Sequence, residues 1–279
     1  MTFTLPIVLD FGDVSDFQEM KERQARVWGL GDYDVLGRAF EPAATALCDA
    51  CAVSAGQEVL DVGAGTGNFT IACAREGASV LASDISPGMV ERGRARTGAE
   101  GFDVEWVEAD VEALPFEDGR FDCVGSTFGA FIAPRPEVAS AEMFRVVRPG
   151  GTVGLTAWTP DGWFGSYQAL SQRFVPPAEG AARPQEWGDE GTARTRLEGL
   201  ASHVDVERAH VTLTADSPEG LAAMFDQSPP WVAARANLPE DQFDELVRGT
   251  VELGRTWNVG DDGLRVEVEY LIIVARKRG

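Results

Sequence analysis

Short apolar runs alternate along the chain with longer amphipathic segments, a pattern typical of a sheet whose strands are buried between helices. The apolar runs predict seven strands, at residues 57–62, 78–83, 104–109, 121–126, 151–158, 204–214 and 264–274. The segments between the first five strands predict helices, at residues 68–75, 86–96 and 136–147. Strands that alternate with helices in this way indicate a doubly wound α/β sheet of mostly parallel strands.

The regions outside this pattern carry further helices. The periodicity predicts helices at residues 16–27, 42–53 and 191–201, and a largely helical insertion at about 218–254. Residues 159–190 are rich in proline, glycine and aromatic side chains, with one helix expected at about 166–174. Because a structureless connection of this length is unusual, we expect residues 159–190 to form a cap over a binding site.

The stretch EVLDVGAGTGNFT, residues 58–70, joins a predicted buried strand to a predicted helix. Three glycines at alternating positions separate the two, Gly63, Gly65 and Gly67, and residues 63–67 are called the glycine loop below. Glycine permits positive φ and close approach of the backbone to another group. A ligand lying on bare main chain near a helix N-terminus would use both properties.

The acidic residue just before the glycine loop limits what this ligand can be. A dinucleotide site has the spacing G-x-G-x-x-G, whereas here the third glycine comes one residue early. Asp61 lies two residues before Gly63, where its carboxylate would repel a pyrophosphate and attract an ammonium group.

Polar residues also follow the next three predicted strands. Asp84 comes 21 residues after Gly63, close to the spacing at which an acidic residue binds a ribose diol through its two oxygen atoms. Asp110 follows the third strand, and Thr127 with Phe128 follows the fourth. The carboxyl ends of parallel strands are where open α/β sheets bind ligands.

These features together identify a family. The glycine stretch closely resembles motif I of the class I S-adenosylmethionine-dependent methyltransferases. The stretches LPFEDGRFD (residues 114–122) and RVVRPGG (residues 145–151) resemble its small-molecule branch, the ubiquinone-biosynthesis-like or type 11 methyltransferases. The three signatures stand in the right order over about ninety residues.

The resemblance implies S-adenosylmethionine as the cofactor and S-adenosylhomocysteine as the product. It implies that Asp84 holds the ribose, that Asp110 and Val111 contact the adenine, and that the glycine loop and Thr127 hold the methionine. The cofactor residues expected in this way are Tyr33, Asp61, Gly63, Ala64, Gly65, Gly67, Asn68, Asp84, Ile85, Asp110, Val111 and Thr127. The candidate acceptor residues are Phe128, Trp163 and Tyr167.

The resemblance also implies a Rossmann-like seven-stranded sheet with an antiparallel last strand. On this basis residues 1–40 would cover the cofactor, residues 41–158 would form the cofactor-binding core, and residues 159–190 would form the cap. Residues 191–279 would complete the core and carry the helical insertion.

No catalytic base is assigned from the sequence. The sulfonium of S-adenosylmethionine is already activated, so a methyltransferase needs chiefly to align its acceptor and exclude water. The two histidines, His203 and His210, lie at the start and in the middle of the predicted sixth strand and are interpreted as structural or exposed.

Composition excludes several classes of partner. The net charge is −21, and no cluster of basic residues is visible apart from Arg276-Lys277-Arg278 at the C-terminus. Nucleic acid and anionic membranes are therefore not expected as partners. No apolar run is long enough to span a membrane, and the N-terminus does not resemble a secretory signal, so the expected location is the cytoplasm. We expect a monomer or homodimer acting on a small, partly apolar acceptor, such as a secondary metabolite or a quinone-like ring.

The four cysteines do not indicate a metal site. Cys48 and Cys51 form a C-x-x-C pair inside a predicted helix, while Cys73 and Cys123 stand alone. A zinc site would need a second close pair of ligands, so buried thiols in a reducing compartment are expected and no metal is predicted.

Alternative functions remain open at this point. A nicotinamide-dependent oxidoreductase would need the wider glycine spacing and is disfavoured by Asp61. A non-catalytic protein that binds S-adenosylmethionine is disfavoured by the intact acidic residues. A protein or nucleic-acid acceptor is disfavoured by the charge and by the predicted cap.

Overall fold

A single seven-stranded sheet runs through the molecule. The computed structural model describes residues 16–177 and 180–279. The strands are β1 Glu58–Val62, β2 Ser79–Asp84, β3 Glu105–Glu108, β4 Phe121–Thr127, β5 Val147–Trp158, β6 Ala201–Ala215 and β7 Leu264–Lys277. Their order across the sheet is β3-β2-β1-β4-β5-β7-β6. Neighbours from β3 to β5 pair in parallel, whereas β7 is antiparallel to both β5 and β6. The predicted doubly wound sheet with an antiparallel last strand is confirmed.

Helices connect the strands and pack on the sheet. The α-helices are α1 Phe17–Trp28, α2 Asp34–Ala39, α3 Glu41–Ala50, α4 Asn68–Arg75, α5 Pro87–Ala99, α6 Pro136–Val146, α7 Trp163–Ser171, α8 Glu190–Glu198, α9 Pro218–Ala223, α10 Pro229–Asn237 and α11 Glu240–Thr256. Short 3₁₀ helices lie at Ala130–Ile132 and Pro184–Gly188.

The helical insertion predicted at 218–254 consists of three helices, α9 to α11. Proline marks each start, because its fixed φ suits a first helical turn but cannot continue an existing one. Pro218 and Pro229 are the first residues of α9 and α10, and Pro239 is the N-cap of α11. The Ser217 side chain also accepts a hydrogen bond from the backbone N–H of Gly220 at the start of α9.

Several predicted boundaries differ from the structure, two of them in the predicted cap and directly after it. Helix α7 begins at Trp163, three residues before the predicted start, because Trp163 is wholly buried rather than part of an exposed loop. Residues 191–201 do not form one helix, since α8 ends at Glu198 and Ala201 already pairs with Lys277 in the sheet. Gly199 is the C-cap of α8, so the helix ends before Ala201 enters the sheet.

The sheet changes direction of winding between β1 and β4. Strands β1, β2 and β3 succeed one another toward one edge, and β4 returns to the other side of β1. In open α/β sheets such a switch point leaves a crevice at the carboxyl ends of the strands. The glycine loop follows β1 and Thr127 ends β4, so both lie at this crevice.

The core and cap boundaries predicted from sequence can be compared with this sheet. Residues 41–158 and 191–279 share it, because β7 pairs with β5 along seven residue pairs from Thr152 to Trp158. The first fifteen residues of the predicted 1–40 segment, and residues 178 and 179 of the predicted cap, lie outside the described part of the chain.

The described part of the chain has no helix that is both long and apolar enough to cross a bilayer. All four cysteines are buried and unpaired. Within the same residues no group of three or more His, Cys, Asp or Glu side chains is arranged to hold a metal ion.

We expect Gly125→Ala in β4 to destabilise the fold. A Cβ at this glycine would lie 2.1 Å from the Phe69 ring, which is itself buried between α4 and the sheet. Overpacking of this kind costs about 1–3 kcal/mol of unfolding free energy, measurable by denaturant titration. Gly98→Ala in α5 is the matched control, because nothing lies within 4 Å of its added Cβ. That change should be neutral or stabilising by up to about 1 kcal/mol, and equal losses in both variants would contradict the account.

Candidate functional site

An open pocket lies at the carboxyl ends of β1 to β4, where α1 and the residues that flank α2 also line it. It contains most of the residues that the sequence analysis singled out. Those in its lining are Tyr33, Asp61, Gly63, Ala64, Gly65, Asn68, Asp84, Ile85, Asp110, Val111, Thr127 and Phe128.

The three glycines of the glycine loop have different surroundings. All three have positive φ, at 61°, 57° and 93° for Gly63, Gly65 and Gly67. A Cβ at Gly63 would lie 3.0 Å from Gly129, and one at Gly67 would lie 3.1 Å from the Trp106 ring. A Cβ at Gly65 would meet nothing within 4 Å. Gly65 is therefore the glycine that keeps open space for a ligand, whereas the other two allow close packing of the protein.

Asp61 is a buried carboxylate with one satisfied oxygen. It is 1% exposed, and its Oδ2 accepts hydrogen bonds from the Thr70 backbone N–H at 2.9 Å and hydroxyl at 2.6 Å. Its Oδ1 is buried with no partner among the described residues. Burial raises the pKa of Asp61 to about 7, against the lowering effect of Thr70, and nearby Asp84 raises it further. An uncompensated carboxylate facing a pocket is suited to a cationic ligand.

Asp84 sits at the end of β2 and is held by backbone groups. Its Oδ2 accepts a hydrogen bond from the Gly65 N–H and its Oδ1 from the Ser86 N–H, both at 2.8 Å. Burial raises the pKa of Asp84, although these two hydrogen bonds oppose the effect. Each carboxylate oxygen keeps a second lone pair, so the side chain can still accept hydroxyl groups from a ligand.

The end of β4 carries an unpaired hydroxyl and a strained residue. Thr127 Oγ1 is buried without a partner among the described residues. Phe128 has φ 55°, which is rare for a bulky residue, and its N–H donates to Thr156 Oγ1 at 3.0 Å. Strain of this kind persists where the surrounding structure holds it, commonly at a ligand site.

Aromatic rings surround this end of the pocket. Phe128 stacks on Trp158 with centroids 3.6 Å apart and planes 7° apart, and its ring lies 5.7 Å from Phe40. Tyr33 meets Trp28 edge to face at 5.6 Å. Burial raises the pKa of Tyr33, so its hydroxyl stays protonated.

Three of the residues singled out from the sequence lie outside the pocket lining. Gly67 is the N-cap of α4 and packs on Trp106. Trp163 is wholly buried beside Phe225, and the Tyr167 hydroxyl accepts a hydrogen bond from Trp231 Nε1 at 2.8 Å. Trp163 and Tyr167 therefore pack in the core, one layer behind the pocket, rather than facing an acceptor. No described residue of 159–190 lines the pocket.

The two histidines lie far from the pocket in the fold. They belong to β6, the edge strand on the opposite side of the sheet from β2 and β3. His203 contacts Asp205 at 2.9 Å, and His210 lies 3.5 Å from Glu269. Both are exposed side chains paired with carboxylates, in agreement with the structural interpretation.

The sequence analysis expected residues 1–40 to cover the cofactor, but it did not single out Lys21 or Gln24 of α1. Lys21, Gln24 and Trp28 line the pocket from one face of this helix. Their spacing of three and four residues is a helical periodicity that could have indicated a shared face. The polar character of Lys21 and Gln24 concealed it, because such side chains normally face solvent.

A buried arginine forms hydrogen bonds with the glycine loop and with the residue that follows it. Arg96 donates from Nη1 to the Asn68 Oδ1 at 2.7 Å and to the Thr66 carbonyl at 3.2 Å, and it pairs with Glu41 at 2.6 Å. The Asn68 Nδ2 in turn donates to the Gly37 carbonyl at 2.7 Å. Asn68 therefore links the loop to α2, although it also borders the pocket.

Comparison with known proteins identifies the family. A sequence profile of the methyltransferase domain family matches residues 59–151. An uncharacterised protein of Mycobacterium tuberculosis is 32% identical over 273 residues, covering 94% of this chain and 96% of the relative. A ubiquinone/menaquinone biosynthesis C-methyltransferase of Cronobacter sakazakii is 34% identical over 168 residues, 57% of this chain and 65% of the relative. The chain belongs to the class I S-adenosylmethionine-dependent methyltransferases.

A solved structure agrees with the methyltransferase fold. A Bacillus halodurans protein described as a methyltransferase superposes with a TM-score of 0.61 at 22% identity, covering 85% of this chain and 99% of that protein. S-adenosylmethionine is the cofactor of this enzyme because the methyltransferase family profile matches residues 59–151.

The pocket fits this cofactor chemically. The methionine part of S-adenosylmethionine carries an ammonium group, which matches the unpaired Oδ1 of Asp61. The unpaired hydroxyl of Thr127 and the open space over Gly65 lie along the same crevice. Asp61 therefore remains the predicted partner of the ammonium group of the cofactor.

We expect Asp61→Asn to weaken S-adenosylhomocysteine binding and remove most of its pH dependence. An asparagine oxygen can still accept from Thr70, but its NH₂ group would face the ligand ammonium. Loss of a hydrogen bond to a charged group corresponds to about a tenfold or greater loss of affinity. In the wild type the affinity should rise between pH 5.5 and 7.5, as the Asp61 carboxyl, with its pKa of about 7, becomes ionised.

Calorimetric titration across this pH range measures both effects.

The stability of the ligand-free protein gives a second readout, which changes with pH in the opposite direction to the affinity. The pKa of Asp61 is raised in the folded state, from an ordinary value of 3.8 to about 7. The free energy of unfolding therefore falls as the pH rises from about 3.8 toward about 7. Asp61→Asn should therefore reduce this pH-dependent loss of stability. A variant with wild-type affinity and pH profile would contradict the assignment of Asp61 to the ammonium.

Proposed function

We propose that this methyltransferase transfers the methyl group of S-adenosylmethionine to a small, uncharged and largely apolar acceptor with a planar ring, such as a phenol or a quinol. The observation that carries the proposal is the distribution of charge in the pocket lining. The charged side chains, Lys21, Asp61, Asp84 and Asp110, lie at α1 and at the ends of β1 to β3. After β4 the described lining carries no charged side chain: it consists of Thr127, Phe128, Gly129, Ala130, Ile132, Ala133 and Pro134.

The proposed cofactor contacts follow the order of the strands. The methionine ammonium contacts Asp61 and the glycine loop after β1, the ribose hydroxyls contact Asp84 after β2, and the adenine contacts Asp110 and Val111 after β3. Ile85 and Val111 offer apolar surface to the base and sugar. With these groups placed, the sulfur end of the cofactor points toward β4.

Phe128 and Phe40 then form the acceptor surface. Phe128 lines the pocket while its ring stacks on Trp158. A planar ring laid against Phe128 would gain stacking as well as burial, and aromatic pairs add roughly 0.5–1.5 kcal/mol beyond area. A charged acceptor would lose hydration here without gaining a counter-ion among the described lining residues.

The proposed mechanism depends on alignment and exclusion of water. S-adenosylmethionine supplies the methyl group as a sulfonium electrophile. The chain supplies the position of the nucleophile, and well-oriented reactants can account for roughly 7–11 kcal/mol of the barrier. At the end of β4 the described lining has no carboxylate, histidine or lysine, and Tyr33 stays protonated. An acceptor that ionises readily or reacts through carbon suits such a site.

The relatives support this acceptor class in part. The Cronobacter sakazakii relative is named for ubiquinone and menaquinone biosynthesis and for C-methylation. Its similarity extends over part of both chains, so the likeness supports a ring acceptor without specifying one.

A panel assay tests the proposal. The enzyme is incubated with S-[methyl-³H]-adenosylmethionine and with naphthoquinols, substituted phenols, small amines, small carboxylates, a peptide mixture and transfer RNA. We expect label only in the ring acceptors, and equilibrium binding of S-adenosylhomocysteine far tighter than that of NAD. Transfer to amines, peptides or RNA would contradict the acceptor class. Cofactor binding without transfer to any acceptor would favour a non-catalytic binding protein.

We expect Phe128→Ala to raise the KM for a ring acceptor about tenfold while the affinity for S-adenosylhomocysteine changes little. The lost stacking and burial together amount to roughly 1–3 kcal/mol. Phe116→Ala is the matched control, because this half-buried phenylalanine contacts Phe121 at 5.4 Å, at the opposite end of β4. Equal kinetic effects of the two variants would remove Phe128 from the acceptor surface.

A further inference from the structure

Lys21 is one of only two lysines among the 24 basic residues of the chain, the other being Lys277. It lies on the inner face of α1 and is 6% exposed. Lysine is almost never buried unless it is paired. The burial of Lys21 therefore needs an explanation. Its neighbours lie at the proposed adenine end of the pocket, not at the acceptor end.

The ammonium of Lys21 contacts two carboxylates. Its Nζ lies 2.6 Å from Asp110 Oδ2 and 3.2 Å from Glu112 Oε2. Burial alone lowers the pKa of Lys21, but the two carboxylates outweigh this effect and leave the pKa raised. The lysine is thus a fixed positive charge in the pocket wall.

Glu112 also forms an ion pair with a second cationic residue, Arg135. Its side chain is wholly buried, its Oε1 accepts the Arg135 N–H at 2.7 Å, and its Oε2 accepts from the Arg135 Nε at 2.8 Å. Asp110 differs from Glu112 in this respect. Among the described hydrogen bonds and ion pairs, Lys21 is its only cationic partner.

Two donors fix the carboxylate of Asp110. Its Oδ1 accepts the Glu112 N–H at 2.9 Å and its Oδ2 accepts from Lys21 Nζ. The Asp110 side chain remains 22% exposed and borders the pocket. A carboxylate held in this way keeps free lone pairs in a fixed direction, and it acts only as an acceptor.

We propose that Lys21 is a positioning residue that holds Asp110 as an oriented hydrogen-bond acceptor, and thereby makes the enzyme select adenine over a 6-oxopurine. This inference rests on the proposed function, in which the adenine amino group donates to Asp110. Hypoxanthine has a carbonyl oxygen at that position, which cannot donate and would face the carboxylate. Lys21 lies in α1, so the same helix would both cover the cofactor and select its base.

The same helix is fastened to the loops around the base. Gln24 Nε2 donates to the Ile132 carbonyl at 3.1 Å, and the Arg135 guanidinium lies over the Phe17 ring at 5.3 Å. These contacts hold α1 in place independently of Lys21. Replacement of Lys21 by methionine should therefore change the orientation of Asp110 more than the position of the helix.

Calorimetric titration with two ligands tests the proposal. S-adenosylhomocysteine and S-inosylhomocysteine are titrated into the wild type, Lys21→Met and the control Arg26→Met, whose residue is exposed on the outer side of α1. The wild type and Arg26→Met should prefer the adenine ligand. Lys21→Met should lose about tenfold or more in affinity for the adenine ligand and little for the inosine ligand, so that the preference collapses.

The possible outcomes separate the two proposals. Equal losses for both ligands would mean that Lys21 has only a structural role, and would overturn this inference while leaving the proposed function in place. A wild type that binds neither ligand would overturn both.

A second measurement needs no variant. Mild acetylation of the wild type, followed by mass spectrometry, compares Lys21 with Lys277, which donates to backbone carbonyls of Arg145 and Val147. Saturating S-adenosylhomocysteine should slow labelling of Lys21 several-fold relative to Lys277. An unchanged ratio would remove Lys21 from the adenine wall.

Discussion

The unpaired carboxylate oxygen of Asp61 is the constraint on which the site depends. An ionised carboxylate is costly to bury, and only one of its two oxygens is satisfied, by the N–H and hydroxyl of Thr70 at the start of α4. The fold accepts this cost at the end of β1, directly before the glycine loop. A cofactor that carries an ammonium group would supply the missing partner of this oxygen.

The order of the strands converts this single interaction into an extended site. Because β3, β2, β1 and β4 are parallel neighbours, their carboxyl ends present Asp110, Asp84, the glycine loop and Thr127 in a row. At about 4.8 Å between strands, this row spans about 14 Å. An elongated ligand with a base, a sugar and an amino acid matches such a row, whereas a compact ligand would leave some of its polar groups unused.

Sequence alone predicted the parts of the site that depend on local order. Asp84 and Asp110 were found because each follows an apolar run, and the ends of parallel strands share one edge of a sheet. The contribution of Lys21 and Arg96 was not found, because their partners Asp110, Asn68 and Glu41 are distant in the sequence and depend on how helices pack. In the sequence, polar residues that are buried by tertiary contacts look the same as polar residues that face solvent.

The aromatic residues after β5 illustrate a different limit. Dense aromatic side chains are equally typical of a pocket and of a core, and their sequence spacing does not distinguish the two. The structure buries Trp163 and Tyr167 against Phe225 and Trp231 of the C-terminal helices, which the sequence could not bring into contact with them. Phe128 differs because its position at a strand end, rather than its aromatic nature, predicts that it faces the crevice.

A crystal structure with S-adenosylhomocysteine at pH 7.5 tests the central claim most directly. The account predicts that the ligand ammonium lies within hydrogen-bonding distance, about 3 Å, of Asp61 Oδ1. It also predicts the ribose at Asp84 and the base beside Asp110. A ligand bound in the reverse direction, or bound elsewhere with Asp61 Oδ1 still unpaired, would contradict it.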